Sequence, residues 1–205
     1  MITVVNLGIS NIGSVCKALS FLNIDYHVTD QASEILSAQK IFLPGVGGFT
    51  AGVDTMKAKK IFDPLREMAL IKKVPFFGIC LGMQLMFESG DEGGAREGLG
   101  LIKGRVVPLQ VDRSRYPVPH MGWNDVQFSE MKMFEGLKPD SCFYFVHSFE
   151  ADCQDPEARV ATTSYGDHAI CAAVEKGSIW CAQFHSERSQ SVGLQVLKNF
   201  AGVPC

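Results

Sequence analysis

Phe77-Gly78-Ile79-Cys80-Leu81-Gly82 is the most informative stretch of this 205-residue sequence. It overlaps an apolar run, Pro75–Ile79, that predicts a buried parallel strand, and it leads into a helical pattern that we expect to extend through Phe87. The glycines two residues before and two residues after Cys80 allow a sharp turn from strand to helix. Such a turn exposes the thiol beside the N-terminal end of a helix, which favours negative charge. Cys80 is therefore a candidate nucleophile, and a buried structural cysteine is the alternative.

Strand-to-helix units also precede this stretch. Three apolar runs predict further strands, at Ile2–Leu7, Ile24–Thr29 and Lys40–Leu43. Amphipathic or capped segments predict the helices between them, at Ile12–Leu22, Asp30–Ser37 and Thr50–Ile71, the last interrupted near Asp63-Pro64. Four such units with short connections predict an α/β fold. We expect an open, mostly parallel, twisted sheet of the flavodoxin-like kind with helices on both faces.

The second half of the sequence is richer in short strands. The glycine-rich segment Gly90–Gly100 predicts an exposed loop. The strands expected after it are Ile102–Val107, Asp125–Phe128, Cys142–Val146, Arg159–Ser164, Ala169–Glu175 and Ser178–Phe184, followed by a helix at Ser189–Phe200. Turn residues between several of these runs indicate an antiparallel, strand-rich extension of the sheet. Because no linker or repeat divides the chain, we expect residues 1–205 to form a single domain.

Composition excludes several classes of function. Apolar residues make up 46% of the chain, and the formal net charge is −3 without a basic run, which argues against a nucleic-acid surface. The sequence holds no apolar stretch of the length that a membrane span requires. Its seven cysteines include no Cys-x-x-Cys pair, which argues against a disulfide framework or a structural zinc site. We expect a cytoplasmic protein without a bound metal or cofactor.

A base for Cys80 is predicted at His185-Ser186-Glu187, at the end of the last strand. Residues i and i+2 of an extended segment point to the same side, so His185 and Glu187 can face one way together. The carboxylate could then hold Nδ1–H of the imidazole and leave Nε2 free for the thiol. A surface histidine beside a solvated glutamate is the alternative.

A glycine-rich loop, Pro44-Gly45-Val46-Gly47-Gly48, follows the third strand. Its backbone can turn N–H groups toward a negative oxygen, and in a parallel sheet it lies at the same edge as Cys80. It lacks the Gly-Lys-Ser/Thr of a phosphate loop, so a phosphate site is disfavoured. An oxyanion hole shared with Leu81 N–H is geometrically reasonable, and an ordinary turn is the alternative.

In this order, PGVGGF (44–49), GICLGMQ (78–84) and His-x-Glu (185–187) resemble the class I, or triad, glutamine amidotransferases. Two further blocks, HMGWN (120–124) and YFVHSF (144–149), are similar within that family to the glutaminase subunits of imidazole glycerol phosphate synthase. The resemblance runs from residue 1 to about residue 200, and it is the combination of blocks that makes it specific.

The resemblance implies a role for each matching residue. Cys80 would attack the side-chain amide of L-glutamine to form a γ-glutamyl thioester, with His185 moving the proton and Glu187 holding His185. The implied oxyanion-hole donors are the backbone N–H groups of Leu81, Val46 and Gly47. The implied glutamine-binding residues are Gly45, Gln84, His147, Ser148 and Phe149. In this family the peptide around Val46 turns to complete the hole, which gives a partner subunit a way to gate activity.

The resemblance also implies a partner. In this family the glutaminase pairs with a cyclase subunit, a (β/α)8 barrel that uses the ammonia to make imidazole glycerol phosphate for histidine biosynthesis. The residues implied at that interface are Met121, Trp123 and Asn124. No cofactor is implied. Gly48 departs from the family pattern, since relatives often carry a larger side chain there, and this puts the stiffness of the loop in doubt.

Three other functions stay open at this point. The first is a glutaminase subunit of a different synthase on the same fold, such as pyridoxal phosphate synthase. The second is a cysteine peptidase or chaperone-like protein on a flavodoxin-like sheet, and the third is a flavin-binding module without catalysis. His-x-Glu and the Gly-Met-Gln that follows Cys80 favour glutamine as substrate, while HMGWN and PGVGGF favour the histidine pathway.

Overall fold

Strands and helices alternate over the first half of the computed structural model, which describes residues 1–204 and leaves Cys205 outside the described residues. The strands of this half are β1 (Ile2–Val5), β2 (Tyr26–Thr29), β3 (Ile41–Gly45) and β4 (Phe76–Cys80). The helices are α1 (Ile12–Phe21), α2 (Ala32–Ile35), α3 (Phe49–Ala58), α4 (Phe62–Arg66) with a π-helical turn over Glu67–Ile71, and α5 (Leu81–Gln84). The four predicted strand-to-helix units are confirmed.

The second half consists mainly of strands. They are β5 (Phe87–Gly90), β6 (Arg96–Glu97), β7 (Ile102–Pro108), β8 (His120–Val126), β9 (Ser141–His147), β10 (Phe149–Cys153), β11 (Arg159–Tyr165), β12 (His168–Lys176) and β13 (Ile179–Ala182). Short 3-10 turns lie at Lys132–Phe134 and Ser186–Arg188, and the helix α6 spans Gln190–Gly202.

The main sheet has seven strands in the order β11-β12-β13-β4-β3-β1-β2. The five strands from β13 to β2 are parallel to their neighbours, and β12 and β11 extend the sheet in antiparallel fashion. A second sheet has the order β10-β7-β5-β6, and β8 and β9 form a two-stranded ribbon. The α/β class with an antiparallel extension is confirmed.

Both faces of the main sheet are buried. Successive residues of one strand enter different apolar clusters: Phe42 and Phe77 pack on one side, Leu43 and Phe76 on the other. The first side includes residues of α1 and α6, and the second includes residues of α3 and α4. Because the central strands β1, β3, β4 and β13 are buried on both faces, they read as continuous apolar runs and not as alternating patterns.

The helical segment Thr50–Ile71 breaks earlier than predicted. The break lies between Ala58 and Phe62, where Lys60 has φ +57°, and not at Asp63-Pro64. Pro64 lies in the first turn of α4, where backbone N–H groups have no partner within the helix. Its missing N–H therefore costs α4 no hydrogen bond.

The predicted helix through Phe87 is wrong. α5 ends at Gln84, and Phe87 begins β5. The carbonyls of Leu85 and Met86 accept N–H groups of Leu99 and Leu101, each at 2.8 Å, so these distant residues take the acceptors that a longer helix would use.

Two predictions for the second half also need correction. The segment Gly90–Gly100 is only partly an exposed loop, because it contains β6 and the buried Leu99. The strand expected at Asp125–Phe128 begins at His120 and ends at Val126, so the HMGWN block is strand and not loop. In addition, β10 was not predicted, since it follows β9 with only Ser148 between them.

Among the described residues, the helices are all too short or too polar to cross a lipid bilayer.

Candidate active site

Cys80 lies at the end of β4 in a backbone conformation that L-residues rarely adopt, with φ +54° and ψ −112°. The glycines around it make this turn possible. A Cβ at position 82 would lie 1.8 Å from the Leu43 carbonyl oxygen, and one at position 78 would lie 2.6 Å from the Gly82 carbonyl oxygen. The predicted need for glycine on both sides of the cysteine is confirmed by these close approaches.

His185 reaches Cys80 because of the sheet. β13 runs parallel beside β4, with Ala182 opposite Ile79, so the residues that follow both strands meet at one edge. The backbone of His185 is held in place by two bonds: its N–H donates to Tyr144 O at 2.9 Å, and its carbonyl accepts the Ser189 hydroxyl at 2.7 Å. The candidate base and the candidate nucleophile thus follow neighbouring strands of the sheet.

Glu187 orients the imidazole. His185 Nδ1 lies 2.8 Å from Glu187 Oε1, and both side chains are buried. Burial disfavours the imidazolium, yet the nearby Cys80 sulfur and the Glu187 carboxylate outweigh it and raise the pKa of His185 from 6.5 to about 10. Nε2 is buried and has no hydrogen-bond partner among residues 1–204. The ring is therefore held by Nδ1, and its Nε2 is free of other hydrogen bonds among the described residues.

A cavity of about 360 Å³ opens over Cys80 and His185. The predicted site residues that line it are Val46, Gly47, Gln84, His147, Ser148 and Phe149. Gly45 lies behind the wall, where it pairs with Cys80 in the β3–β4 register, and Leu81 is buried directly after Cys80. The described residues contain no group of three or more His, Cys, Asp or Glu side chains arranged to hold a metal ion.

A larger cavity of about 490 Å³ has Glu150, His168 and Arg105 in its wall. These groups are already paired: His168 Nε2 lies 2.8 Å from Glu150, and Arg105 Nε lies 3.8 Å from Asp152. It holds neither Cys80 nor His185, so the smaller cavity is the candidate active site.

Two glutamines link the cavity wall to the sulfur. Gln84 Nε2 donates to Phe149 O at 3.2 Å and to Gln183 Oε1 at 2.9 Å, and Gln183 Nε2 donates to Cys80 Sγ at 3.6 Å. Sequence reasoning missed Gln183. The available signal was an amide within the apolar run that forms β13 and its continuation, where a buried polar group must have a partner.

Glu92 is a second residue that sequence reasoning missed. It lines the same cavity, and its Oε2 accepts Phe49 N–H at 2.9 Å. Its carbonyl oxygen accepts the Thr50 hydroxyl at 2.6 Å, which ties this loop to the start of α3. A Cβ at Gly48 would lie 3.4 Å from the Glu92 carboxyl carbon, an ordinary van der Waals contact, so position 48 lies directly beside this carboxylate.

The predicted oxyanion hole is incomplete in this conformation. Val46 N–H donates to Ile9 O at 2.9 Å and is not available to a substrate oxygen. Leu81 begins α5, so its N–H has no partner within the helix. Gly47 has φ +108°, a conformation open to glycine, at the peptide expected to turn. The turn itself stays a prediction.

The predicted interface residues separate onto two faces of β8. Met121 and Trp123 are 62% and 48% exposed, and Trp123 packs edge-on against Tyr144 at 5.9 Å. Asn124 lies on the opposite face, as the period of a strand requires, and its Nδ2 donates to Ser164 O at 2.7 Å. Met121 and Trp123 therefore form the exposed apolar surface, and Asn124 faces inward.

The family model described as glutamine amidotransferase class-I matches residues 3–202. The imidazole glycerol phosphate synthase subunit HisH of Rhodopirellula baltica is 39% identical over 204 residues, which cover 100% of this chain and 98% of the relative. The subunit of the same name from Bacillus cereus is 41% identical over 204 residues, covering 99% and 95%.

Two solved structures share the fold. A crystal structure of a glutamine amidotransferase superimposes with a TM-score of 0.74 at 19% identity, covering 98% of this chain and 99% of the other. A glutamine amidotransferase from Thermotoga maritima gives a TM-score of 0.62 at 16% identity, covering 96% and 81%.

Proposed function

The chain belongs to the class-I glutamine amidotransferase family, and from that premise we propose that it is the glutaminase subunit of an imidazole glycerol phosphate synthase. In this role it hydrolyses L-glutamine to glutamate and ammonia. The observation that carries the proposal is the placement of Cys80, on a strained strand-to-helix turn, at one cavity with the buried His185–Glu187 pair. The whole of residues 1–205 acts as one domain.

The reaction proceeds through a thioester. The Cys80 sulfur attacks the side-chain amide carbon of glutamine, and the carbon–nitrogen bond breaks as His185 gives its proton to the departing ammonia. Water then attacks the thioester and His185 takes a proton from it. The carbon–sulfur bond breaks, Cys80 is left as the thiolate beside protonated His185, and glutamate is released. A pKa of about 10 keeps His185 protonated at neutral pH, as the first step requires.

The oxyanion of each tetrahedral intermediate is bound by backbone N–H groups. Leu81 N–H is one donor, because it opens α5 beside Cys80. The second donor comes from the Val46–Gly47 peptide once Val46 N–H leaves Ile9 O. Breaking this 2.9 Å bond is the step that gates the reaction.

The α-ammonium and α-carboxylate groups of glutamine are bound by different parts of the cavity. The Glu92 carboxylate binds the α-ammonium group, and backbone N–H groups of the segment from His147 to Phe149 bind the α-carboxylate. Gln84 uses its amide nitrogen within the protein, which leaves its Oε1 as an acceptor for the substrate.

The ammonia passes to a cyclase subunit, a HisF-type (β/α)8 barrel. Two observations support this partner. The relatives at about 40% identity are named as subunits of imidazole glycerol phosphate synthase. Met121 and Trp123 also form an exposed apolar surface on β8, and apolar and aromatic residues are enriched at the centre of protein interfaces.

The test is glutamate release from L-glutamine by the complex with the cyclase subunit and its nucleotide ligand. We expect a low rate for the lone subunit, a large increase in the complex and no activity for Cys80→Ala. The same variant should leave ammonium-dependent product formation by the cyclase intact. Glutamate release by Cys80→Ala, or none by the wild-type complex, would contradict the proposal.

A further inference from the structure

A directed chain of hydrogen bonds runs from β8 to the cavity wall. Asn124 Nδ2 lies 3.3 Å from His120 Nε2, His120 Nδ1 lies 2.9 Å from His147 Nε2, and His147 Nδ1 lies 2.8 Å from Phe149 O. Only His147 of the two histidines was singled out from the sequence, and only for its backbone. The pairing arises because His120 and His147 are opposite each other in the β8–β9 register.

The Phe149 carbonyl, which can only accept, fixes which atom donates in each of these hydrogen bonds. A carbonyl oxygen only accepts, so His147 Nδ1 carries the proton and its Nε2 is an acceptor. His120 must therefore donate from Nδ1, which leaves its own Nε2 as the acceptor for the Asn124 amide. Each ring is a neutral tautomer with one donor and one acceptor, and every ring nitrogen has a partner.

Burial keeps both rings neutral. His120 and His147 are 3% and 6% exposed, and desolvation lowers the pKa of each from 6.5 to about 4. The His120 ring also stacks against Phe145, with centroids 5.0 Å apart, and Tyr165 lies 4.3 Å away. This packing fixes the position of the N–H donor at His120 Nδ1.

This series of hydrogen bonds ends at Phe149 O, in the wall of the proposed substrate cavity. Phe149 O accepts from His147 and also from Gln84, whose second amide hydrogen leads to Gln183 and the Cys80 sulfur. We propose that His120 is a positioning residue for glutamine hydrolysis, which fixes the Phe149 carbonyl and the Gln84 amide through His147. This rests on the proposed function and extends it to a residue that does not line the cavity.

Three substitutions at position 120 distinguish the effect of losing the N–H donor from the effect of losing the aromatic ring. The Asn amide can place an N–H near the position of imidazole Nδ1, whereas Gln extends its amide toward the Nε2 position. Phe keeps the stacked ring and removes both nitrogens. His120→Phe and His120→Gln therefore leave His147 Nε2 without its donor, and His120→Asn restores it. His27→Phe makes the same change at an exposed histidine on the edge strand β2 and serves as the matched control.

The measurement is kcat and KM for glutamine in the complex with the cyclase subunit. We expect His120→Phe and His120→Gln to lower kcat/KM by roughly 10- to 100-fold, the usual effect of a buried polar atom left unsatisfied, mainly through KM. His120→Asn should stay within about threefold of wild type because it supplies the N–H donor. His27→Phe should match wild type.

Two kinds of failure are distinguishable. An inactive wild-type complex would overturn the proposed function. An active wild-type complex would overturn the positioning role if Phe and Gln left kcat/KM unchanged, or if Asn were impaired as much as Gln. Should His120→Phe fail to fold, the Asn and Gln variants, which differ by one methylene, still decide the question.

Discussion

Glu187 Oε1 lies 2.8 Å from His185 Nδ1, and the two side chains are only 3% and 5% exposed. Because the folded pKa of His185, about 10, is above its ordinary value of 6.5, protonated His185 stabilises the fold. This contribution is fully present below pH 6.5 and is lost as the pH rises through 10.

Cys80 also raises the pKa of His185, so Glu187→Gln should remove only the share of this stabilisation that the carboxylate supplies, since glutamine keeps an acceptor but no charge. We expect the variant to lose on the order of 2 kcal/mol at pH 6, with the difference from wild type narrowing as the pH rises toward 10. Denaturant unfolding of both proteins across that range measures it. A difference that is the same at every pH would show that the ion pair is not the cause.

Gly82→Ala should destabilise the fold strongly. The added Cβ would lie 1.8 Å from the Leu43 carbonyl oxygen, and the Leu43 backbone cannot move away without disturbing the β3–β4 pairing. We expect a loss of about 3 kcal/mol or more, or no folded protein. Gly13→Ala is the matched control, because that Cβ meets nothing within 4 Å on α1, and it should stabilise the protein by about 0.5 kcal/mol. Thermal unfolding compares the two, and equal stability of Gly82→Ala and wild type would contradict the geometry.

Trp123→Ala should weaken the complex and leave the subunit folded. The side chain is half exposed on β8, so its loss removes a contact with the partner and little of the core. We expect the dissociation constant for the cyclase subunit to rise by ~10- to 100-fold, the effect of losing an aromatic anchor. Phe21→Ala provides the comparison, since Phe21 is 74% exposed at the far end of α1, away from the edge that carries Cys80. Titration calorimetry gives both values, and equal effects would place the partner elsewhere.

Glu92→Gln should raise KM for glutamine by roughly 10-fold or more, because an ammonium group loses its carboxylate partner. The amide oxygen of Gln can still accept Phe49 N–H, so we expect thermal stability to change little. Glu97→Gln alters an exposed carboxylate of the same loop and should have no effect on KM. If both variants had the wild-type KM, the ammonium group of glutamine would have to bind elsewhere.

Patterns that are local in sequence predicted most of the fold. Each strand-to-helix unit is fixed by a short apolar run and a nearby amphipathic segment, so β1 to β4 could be predicted from local sequence alone. The turn at Cys80 could also be predicted, because its two glycines lie within two residues of the cysteine. The end of α5 could not be predicted in this way, since it depends on hydrogen bonds donated by Leu99 and Leu101.

The residues that the sequence did not reveal act through distant partners. Gln183 is hydrogen-bonded to Gln84 and Cys80, and His120 is hydrogen-bonded to His147. These partners are distant in sequence, and only the topology of the fold brings them together. Glu92 looked like one charge among several in a glycine-rich loop. No periodicity marks such a residue, because its environment is made by segments far away in the chain.

The adjacency of β4 and β13 has a consequence for how such a protein can diversify. Their parallel register, with Ala182 opposite Ile79, brings the strand ends that lead to the sulfur and the imidazole to one edge of the sheet. Everything from β5 to β12, including the surface of Met121 and Trp123, enters the chain between these two strands. The inward face of these intervening strands carries parts of the site, whereas Met121 and Trp123 point outward, so a new acceptor enzyme can be recruited by substitutions on the outward face of β8 while the reactive pair is kept.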